Sequence, residues 1–151
     1  EPLWKDMEDA RAQMAYGLSV CDILKISDNE IQWFSGKEDY TEGIHMLQQT
    51  YQIPFILLSM GRDGSRAYYK DMLVEVPAFL QKNTIETTGA GDTFGACCLH
   101  HILKYGLDNL TKQQLKEMLT FANAAASQQE KVPCVSCRRW RRFRDCCRVW
   151  M

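Results

Sequence analysis

Apolar side chains recur along residues 1–127 with two alternating spacings. A spacing of about three to four residues, together with capping and glycine signals, predicts helices at about 4–18, 28–34 and 38–51, from the turn at 89–91 to about 105, and from 111 to about 127. Short apolar runs predict strands at 21–26, 55–60, 65–70 and 72–76, the last two as a hairpin. Buried strands that alternate with helices predict an α/β fold with a mostly parallel sheet covered on both faces.

Charge and cysteine content place a boundary near residue 127. Residues 128–151 contain four of the seven cysteines and six arginines. These arginines and Lys131, set against Glu130 and Asp145, give the segment a formal charge of +5. Because the whole chain has a net charge of −1, residues 1–127 carry −6. We therefore predict an α/β domain at 1–127 followed by a basic, cysteine-rich tail at 128–151.

The bulk composition excludes several classes of protein. A chain that is 46% hydrophobic and 25% charged is typical of a globular protein and not of a disordered or collagen-like one. The longest apolar runs, such as 55–58, are far shorter than the about 20 residues of a membrane helix. No secretory signal pattern is present at the N-terminus, so we expect a cytoplasmic protein that does not bind membranes.

The most informative motif is Thr-Thr-Gly-Ala-Gly-Asp-Thr-Phe at 87–94, where an apolar helix is predicted to begin. Its small residues allow the backbone to come close to a ligand, and the unpaired N–H groups of a helix start can hold an anion. Asp92 can then deprotonate a hydroxyl while the amides stabilise charge on a transferring phosphoryl group. The structural alternative is that Asp92 only favours the helix start electrostatically.

Two further motifs follow predicted strands. Ser-Met-Gly-Arg-Asp-Gly-Ser at 59–65 comes directly after a buried strand, where open α/β sheets bind ligands. A plain tight turn is the structural alternative. Ser-Asp-Asn-Glu at 27–30 has the spacing of a capping box, which explains both Ser27 and Glu30 structurally. This segment has neither the glycine pattern of a Walker loop nor that of a dinucleotide-binding fold.

Taken in order along the chain, these three motifs resemble the C-terminal half of the PfkB/ribokinase family of carbohydrate kinases, over about residues 1–127. Pro-Leu-Trp at 2–4, the run 22–30, and the Tyr-Tyr-Lys and Val-Pro-Ala-Phe segments are most similar to bacterial fructokinases. The resemblance implies a ribokinase-like three-layer α/β/α fold, here without its N-terminal half and lid. It also implies transfer of the γ-phosphoryl group of ATP to a primary hydroxyl of a sugar such as fructose.

The resemblance also implies catalytic and nucleotide-binding residues. Asp92 matches the family's catalytic base, and the amides of Gly89, Ala90 and Gly91 match the anion hole around the transferred phosphoryl group. The nucleotide-binding positions are Ser59, Gly61 and Gly64, on the ATP phosphates, and Asn123, beside adenine. Ser59 stands where the family usually has Thr.

The cofactors and partners follow from the same resemblance. Glu30 matches the acid that organises Mg²⁺ and phosphate through water, although Ser27 replaces the Asn that usually begins this motif. Glu86 matches a position, often Asp, that helps to bind a monovalent cation such as K⁺. The implied cofactors are ATP, Mg²⁺ and this cation. The implied partners are a sugar substrate and, in the complete family protein, a second copy in a homodimer; no nucleic acid or membrane is implied.

The tail departs from the family, which commonly has a loop similar to Thr-Arg-Lys-Gly-Ala at this point. One permitted codon choice for 130–138 is GAA AAG GTG CCC TGC GTG TCA TGC CGG. Read from the last base of the Glu130 codon, it encodes Lys-Gly-Ala-Leu-Arg-Val-Met-Pro, which resembles that loop. We therefore hypothesise that the tail is a frameshift product. The structural alternative is a poorly ordered basic extension. Metal binding by its cysteines and nucleic-acid binding by its arginines are further alternatives, although Cys146 and Cys147 lack the spacing of a zinc site and no nucleic-acid-binding module accompanies the arginines.

We predict that the chain is a carbohydrate kinase fragment that is inactive by itself, because the family places most sugar-binding residues in its N-terminal half. Two alternatives remain open. One is a nucleotide-binding or interaction module without catalysis. The other is a nucleic-acid or metal binder that acts through the basic tail.

Overall fold

A computed structural model of the chain describes residues 4–80 and 89–129. They fall into two compact units, 4–61 with 66–74, and 62–65 with 75–80 and 89–129. The elements follow in the order α1 (Met7–Val20), β1 (Ile23–Ser27), α2 (Asp28–Ser35), α3 (Tyr40–Tyr51), β2 (Phe55–Ser59), a 3₁₀ turn (Gly61–Asp63), β3 (Ser65–Tyr69), β4 (Met72–Val76), α4 (Ala90–Tyr105) and α5 (Lys112–Gln129). Within the described ranges, none of the helices combines the length and apolar character that a bilayer-spanning segment requires.

The helices of the first unit begin at side-chain caps. The Asp6 carboxylate accepts a hydrogen bond from the Asp9 N–H at 2.8 Å, and Asp39 accepts one from the Thr41 N–H at 2.7 Å. Such caps satisfy backbone donors that the first helical turn leaves unpaired. Helix α2 ends at Gly36, whose φ of 69° lies in the left-handed region that glycine adopts without strain. Local sequence therefore sets these helix boundaries.

The four strands form one mixed sheet in the order β1-β2-β3-β4. Strands β1 and β2 are parallel, with Ser27 opposite Ser59. Strands β3 and β4 are joined by the two-residue turn at 70–71, so this pair is antiparallel, as the predicted hairpin requires. The Lys70 N–H donates to the Pro54 carbonyl at 3.2 Å, which brings the end of β3 beside the start of β2 and makes this pair antiparallel too.

The core of the first unit lies around β2. Its residues 55–58 are all buried. Neighbouring strands flank β2 on both sides, and Ile56 and Leu58 belong to a cluster with apolar side chains of α1, α2 and α3. Helices α2 and α3 pack against each other, and α2 packs against β1. The buried cluster is built from Leu18, Ile26, Ile31, Ile44, Leu47, Ile53, Ile56, Leu58, Met60 and Tyr68.

Two predictions about the first unit need correction. The first helix begins at Met7 rather than near Trp4, because Asp6 caps it. The strand predicted at 21–26 as buried begins at Ile23, and only Ile26 of its five residues is buried. Strand β1 lies at the edge of the described sheet and pairs only with β2 there, so Lys25 is exposed to solvent.

The second unit contains α4 and α5, which pack against each other. Helix α4 ends at Gly106, as the glycine predicted, and the predicted capping box at Thr111 and Gln114 is confirmed by bonds of 2.9 and 3.2 Å. Burial of Cys98 raises the pKa of its thiol, which makes it a packing residue and not a nucleophile. The buried apolar side chains of these two helices and their connection are Phe94, Cys97, Cys98, Ile102, Leu110, Leu115, Met118, Leu119 and Ala122.

Candidate functional site

The carboxyl ends of β1 and β2 lie side by side at one edge of the sheet. Ser27 ends β1, Ser59 ends β2, and the register pairs them. Two of the motifs predicted from the sequence therefore begin at neighbouring positions, on the edge where α/β sheets bind ligands. A Cβ added at Gly61, just beyond Ser59, would meet nothing within 4 Å, so the backbone of this turn is open to a ligand.

Ser27 and Glu30 form the capping box that their spacing predicted. The Ser27 N–H donates to Glu30 Oε2 at 2.7 Å, and the Glu30 N–H donates to Ser27 Oγ at 3.2 Å. Partial burial raises the pKa of Glu30, but the hydrogen bonds from Ser27 and the positive charge of Lys25 outweigh burial and leave the pKa below its ordinary value. Glu30 is therefore an oriented, ionised carboxylate, a group that can accept from water bound to a divalent cation.

The N-terminus of α4 in the second unit carries the glycine-rich motif. Its N-cap, Gly89, has a φ of 85°, and no described side chain caps this end of the helix. The first backbone bond runs from the Thr93 N–H to the Gly89 carbonyl at 2.9 Å, so the N–H groups of Ala90, Gly91 and Asp92 are not bonded within α4. Asp92 is exposed in the first helical turn. These amides offer donors to an anion, and a carboxylate lies beside them.

Gly64 and Asn123 meet the same short backbone segment within the second unit. A Cβ at Gly64, whose φ is 101°, would overlap the Val76 carbonyl oxygen and lie 2.8 Å from the Ala78 nitrogen. The Asn123 amide Nδ2 donates to the carbonyls of Val76 and Pro77 at 3.2 and 3.1 Å. Asn123 is only 8% exposed. Sequence reasoning did not find this contact, because a backbone carbonyl acceptor leaves no signal in the residue type.

One predicted site residue and the tail lie outside the described residues. They are Glu86 and the segment from 130 onward, which includes the cysteines and arginines of the frameshift, metal and nucleic-acid hypotheses. Among the described positions, the first unit brings the Ser27–Glu30 box beside Ser59, and the second unit brings Gly64 together with Asn123. The remaining predicted site residues are Gly61, in the turn that follows Ser59, and residues 89–92 at the start of α4.

These features define an α/β protein in which each unit has groups suited to phosphate chemistry. The first unit has an open glycine turn and an ionised carboxylate that can hold a hydrated cation, and the second has helix amides that form no bond within α4. Residues 1–133 match the pfkB family of carbohydrate kinases, and the chain belongs to that family. Among its relatives, Fructokinase-1 of Zea mays is 30% identical over 127 residues, which are 84% of this chain and 39% of that protein. Fructokinase of Klebsiella pneumoniae is 33% identical over 109 residues, 72% of this chain and 35% of its own length.

Solved structures of similar fold agree with this membership. Fructokinase from Vibrio cholerae O395, in its fructose, ADP and calcium ion bound form, matches with a TM-score of 0.74 and 22% identity over 85% of this chain and 41% of its own. Aminoimidazole riboside kinase from Salmonella enterica matches with a TM-score of 0.73 and 22% identity over 86% of this chain and 42% of its own. The chain therefore has a ribokinase-like α/β fold and spans about two fifths of the length of these relatives.

Proposed function

We propose that the chain carries the nucleotide-binding and phosphoryl-transferring part of an ATP-dependent sugar kinase. The observation that carries this proposal is the start of α4, where amides at 90–92 that form no hydrogen bond within the helix adjoin the Asp92 carboxylate. Amides fixed in this way stabilise negative charge that develops on a transferring phosphoryl group, and they need no reorganisation during the reaction. Membership of the pfkB family supports the same assignment.

In the proposed mechanism Asp92 accepts the proton of the sugar hydroxyl as that oxygen attacks the γ-phosphorus of ATP. The bond from the γ-phosphorus to the bridging oxygen breaks, and ADP leaves with the electron pair. The amides of Gly89, Ala90 and Gly91 donate to the oxygens of the group in transfer. Because phosphoryl transfer needs little covalent work from the protein, positioning and charge stabilisation provide most of the rate enhancement.

The remaining residues are proposed to hold the nucleotide and its ions. Ser59 and Gly61, at the carboxyl edge of the sheet, contact ATP phosphates, for which the open turn at Gly61 leaves room. By resemblance to the family, Gly64 is also proposed to contact ATP phosphates. Glu30 accepts hydrogen bonds from water on Mg²⁺, a role that its ionised and oriented carboxylate supports. Glu86 contributes to a monovalent cation site by resemblance to the family.

Fructose is the proposed sugar, because the matched relatives include fructokinases and one solved relative is described as fructose-bound. The chain spans about two fifths of those relatives. We therefore propose that the chain by itself binds nucleotide without turnover. A coupled ADP-release assay with MgATP and fructose should show no sugar-dependent rate above the protein-free background, whereas measurable turnover would contradict this part of the proposal.

The role of Asp92 is tested in a full-length relative. In a full-length pfkB-family fructokinase that carries an aspartate at the position of Asp92, this aspartate is changed to Asn, which keeps the shape of the side chain and removes the base. We expect kcat to fall by about 10³-fold and the Kd for MgADP to change by less than about threefold. The matched control changes the residue aligned with the exposed Asp108, and it should keep full activity. Turnover retained by the Asn variant would contradict the proposed base.

A further inference from the structure

A side chain from α5 holds the segment 76–78, which consists of the last residue of β4 and the two residues after it. Asn123 lies 47 positions further along the chain than Val76, and both belong to the second unit. Its Nδ2 donates to the Val76 carbonyl at 3.2 Å and to the Pro77 carbonyl at 3.1 Å. Both partners are acceptors, so this end of the amide must be its NH₂ group.

The two carbonyls lie where the strand ends, so a side-chain donor can satisfy them there. Strand β4 ends at Val76, and Pro77 lies beyond it. A buried carbonyl without a partner is costly, and Val76 is only 5% exposed. Among uncharged side chains, an amide places two N–H donors on one nitrogen, so Asn123 satisfies two consecutive carbonyls at once.

The same segment determines where Gly64 can lie. The Gly64 backbone approaches 76–78 so closely that an added Cβ would overlap the Val76 carbonyl oxygen and lie 2.8 Å from the Pro77 carbonyl carbon. Interiors packed this closely transmit a displacement from one group to its neighbour. A shift of 76–78 therefore moves Gly64 as well.

We propose that Asn123 is a positioning residue for nucleotide binding: by fixing the carbonyls of Val76 and Pro77, it holds the backbone against which Gly64 is packed. This inference rests on the proposed function, in which Gly64 contacts ATP phosphates. This positioning role differs from a contact with adenine, because both hydrogen bonds of Asn123 Nδ2 go to the protein backbone. Asn123 acts here through Gly64.

The first test compares MgADP affinities of folded variants by titration calorimetry. Asn123→Asp keeps the size of the side chain but turns an oxygen toward the two carbonyls, and Asn123→Ala removes the amide. We expect each to weaken MgADP binding by about tenfold. Met118→Ala, a buried α5 residue, is a control for a general loss of stability and should keep the wild-type Kd. Wild-type affinity in Asn123→Asp, or an equal loss in Met118→Ala, would overturn the proposal.

The second test asks whether Asn123 acts through Gly64. Gly64→Ala must displace 76–78, so we expect it alone to weaken MgADP binding by about tenfold. In the double variant with Asn123→Ala, the loss should stay close to that of either single variant, because both disturb the same segment. A loss equal to the product of the two single losses would show independent sites and would overturn the proposal.

A third measurement separates this inference from the proposed function. Hydrogen exchange of the peptide that covers 74–80 should be about tenfold faster in Asn123→Ala than in wild type at equal global stability, because the segment loses its anchor. The control Asn109→Ala, at an exposed asparagine, should leave the exchange rate of this peptide unchanged.

The two claims fail on different results. If wild type binds no MgADP, the proposed function fails. Unchanged exchange in Asn123→Ala overturns the positioning role whether or not MgADP binds.

Discussion

At the scale of single residues, Ser27 and Glu30 show how a structural role and a proposed functional role share one side chain. The carboxylate accepts the Ser27 N–H at 2.7 Å, so it stabilises the start of α2. The same bonds fix its direction and lower its pKa. A carboxylate that is oriented and ionised near neutral pH is what a metal-bound water requires of a hydrogen-bond acceptor. The capping box therefore supports the proposed magnesium role and does not compete with it.

Replacing Glu30 with Gln should reduce the acid sensitivity of the fold. Because the pKa of Glu30 is lowered from 4.5, the carboxylate stabilises the folded state above that pH and loses this contribution as the pH falls through the folded-state value. Gln keeps an acceptor for the capping box but does not titrate. Urea unfolding between about pH 5 and about pH 3 should show a smaller loss of stability in Glu30→Gln than in wild type. An equal loss would contradict the lowered pKa.

Alanine substitutions at two serines should change the free energy of unfolding in opposite directions. The Ser65 hydroxyl is buried, with no hydrogen-bond partner among the residues described, so its desolvation is uncompensated there. Ser65→Ala should raise the free energy of unfolding by about 1 kcal/mol. Ser27→Ala removes a used helix cap and should lower it by about 1 kcal/mol. Chemical denaturation measures both, and a destabilised Ser65→Ala would mean that this hydroxyl has a partner in solution.

At the scale of elements, β1 is one of the two edge strands of the described sheet, and an edge strand can pair with another chain. Of the strands described, only β2 pairs with it, and Lys25 is exposed in its middle. Charged side chains, lysine above all, protect an edge strand from pairing with another chain. Among the described strands, nothing pairs with the outer side of β1, and the charge of Lys25 disfavours its pairing with another chain.

Lys25→Val should promote self-association. The substitution removes the charge and raises the strand propensity of β1. Light scattering after size exclusion at about 100 μM should show dimers or larger species for Lys25→Val where the wild-type chain shows fewer. Lys37→Val, in the connection between α2 and α3, removes the same charge away from the sheet and should leave the mass distribution unchanged. Equal behaviour of the two variants would contradict a role for the edge.

Local signals in the sequence predict most of these elements. The capping boxes at Ser27 and Thr111, the glycines that end α2 and α4, and the hairpin turn each act within about four residues, and the structure confirms them. The start of α1 was predicted too early because the cap at Asp6 was not recognised. The burial of β1 was overestimated because apolar residues alone do not reveal which strand lies at an edge.

At the scale of the whole molecule, the candidate site is only partly readable from the sequence. The motif residues at 27–30, 59–64 and 89–92 could be named because short-range chemistry requires them. Two contacts could not be predicted from the sequence, because they join residues far apart in the chain: the pairing of Ser27 with Ser59 and the contact of Asn123 with 76–77. Long-range contacts depend on the packed fold, and backbone acceptors carry no residue signature.

The hypothesis of a frameshifted tail is also tested at this scale. If residues beyond about 127 arose from a shifted reading frame, the nucleotide sequence in the neighbouring frame should encode Lys-Gly-Ala-Leu-Arg-Val-Met-Pro near residue 130, followed by further family sequence. Sequencing of the gene and its flanks measures this directly. A neighbouring frame without such a sequence would contradict the hypothesis and would leave the other hypotheses for the tail.

The central claim is that this chain binds a nucleotide through the start of α4, and calorimetric titration with MgADP tests it most directly. We predict binding at one site per chain, weakened at least about tenfold in Ala90→Asp, because that carboxylate repels phosphate while still suiting a helix start. Ala96→Asp, on the exposed side of the same helix, should bind like wild type. Absence of binding by wild type, or equal binding by wild type and Ala90→Asp, would contradict the claim.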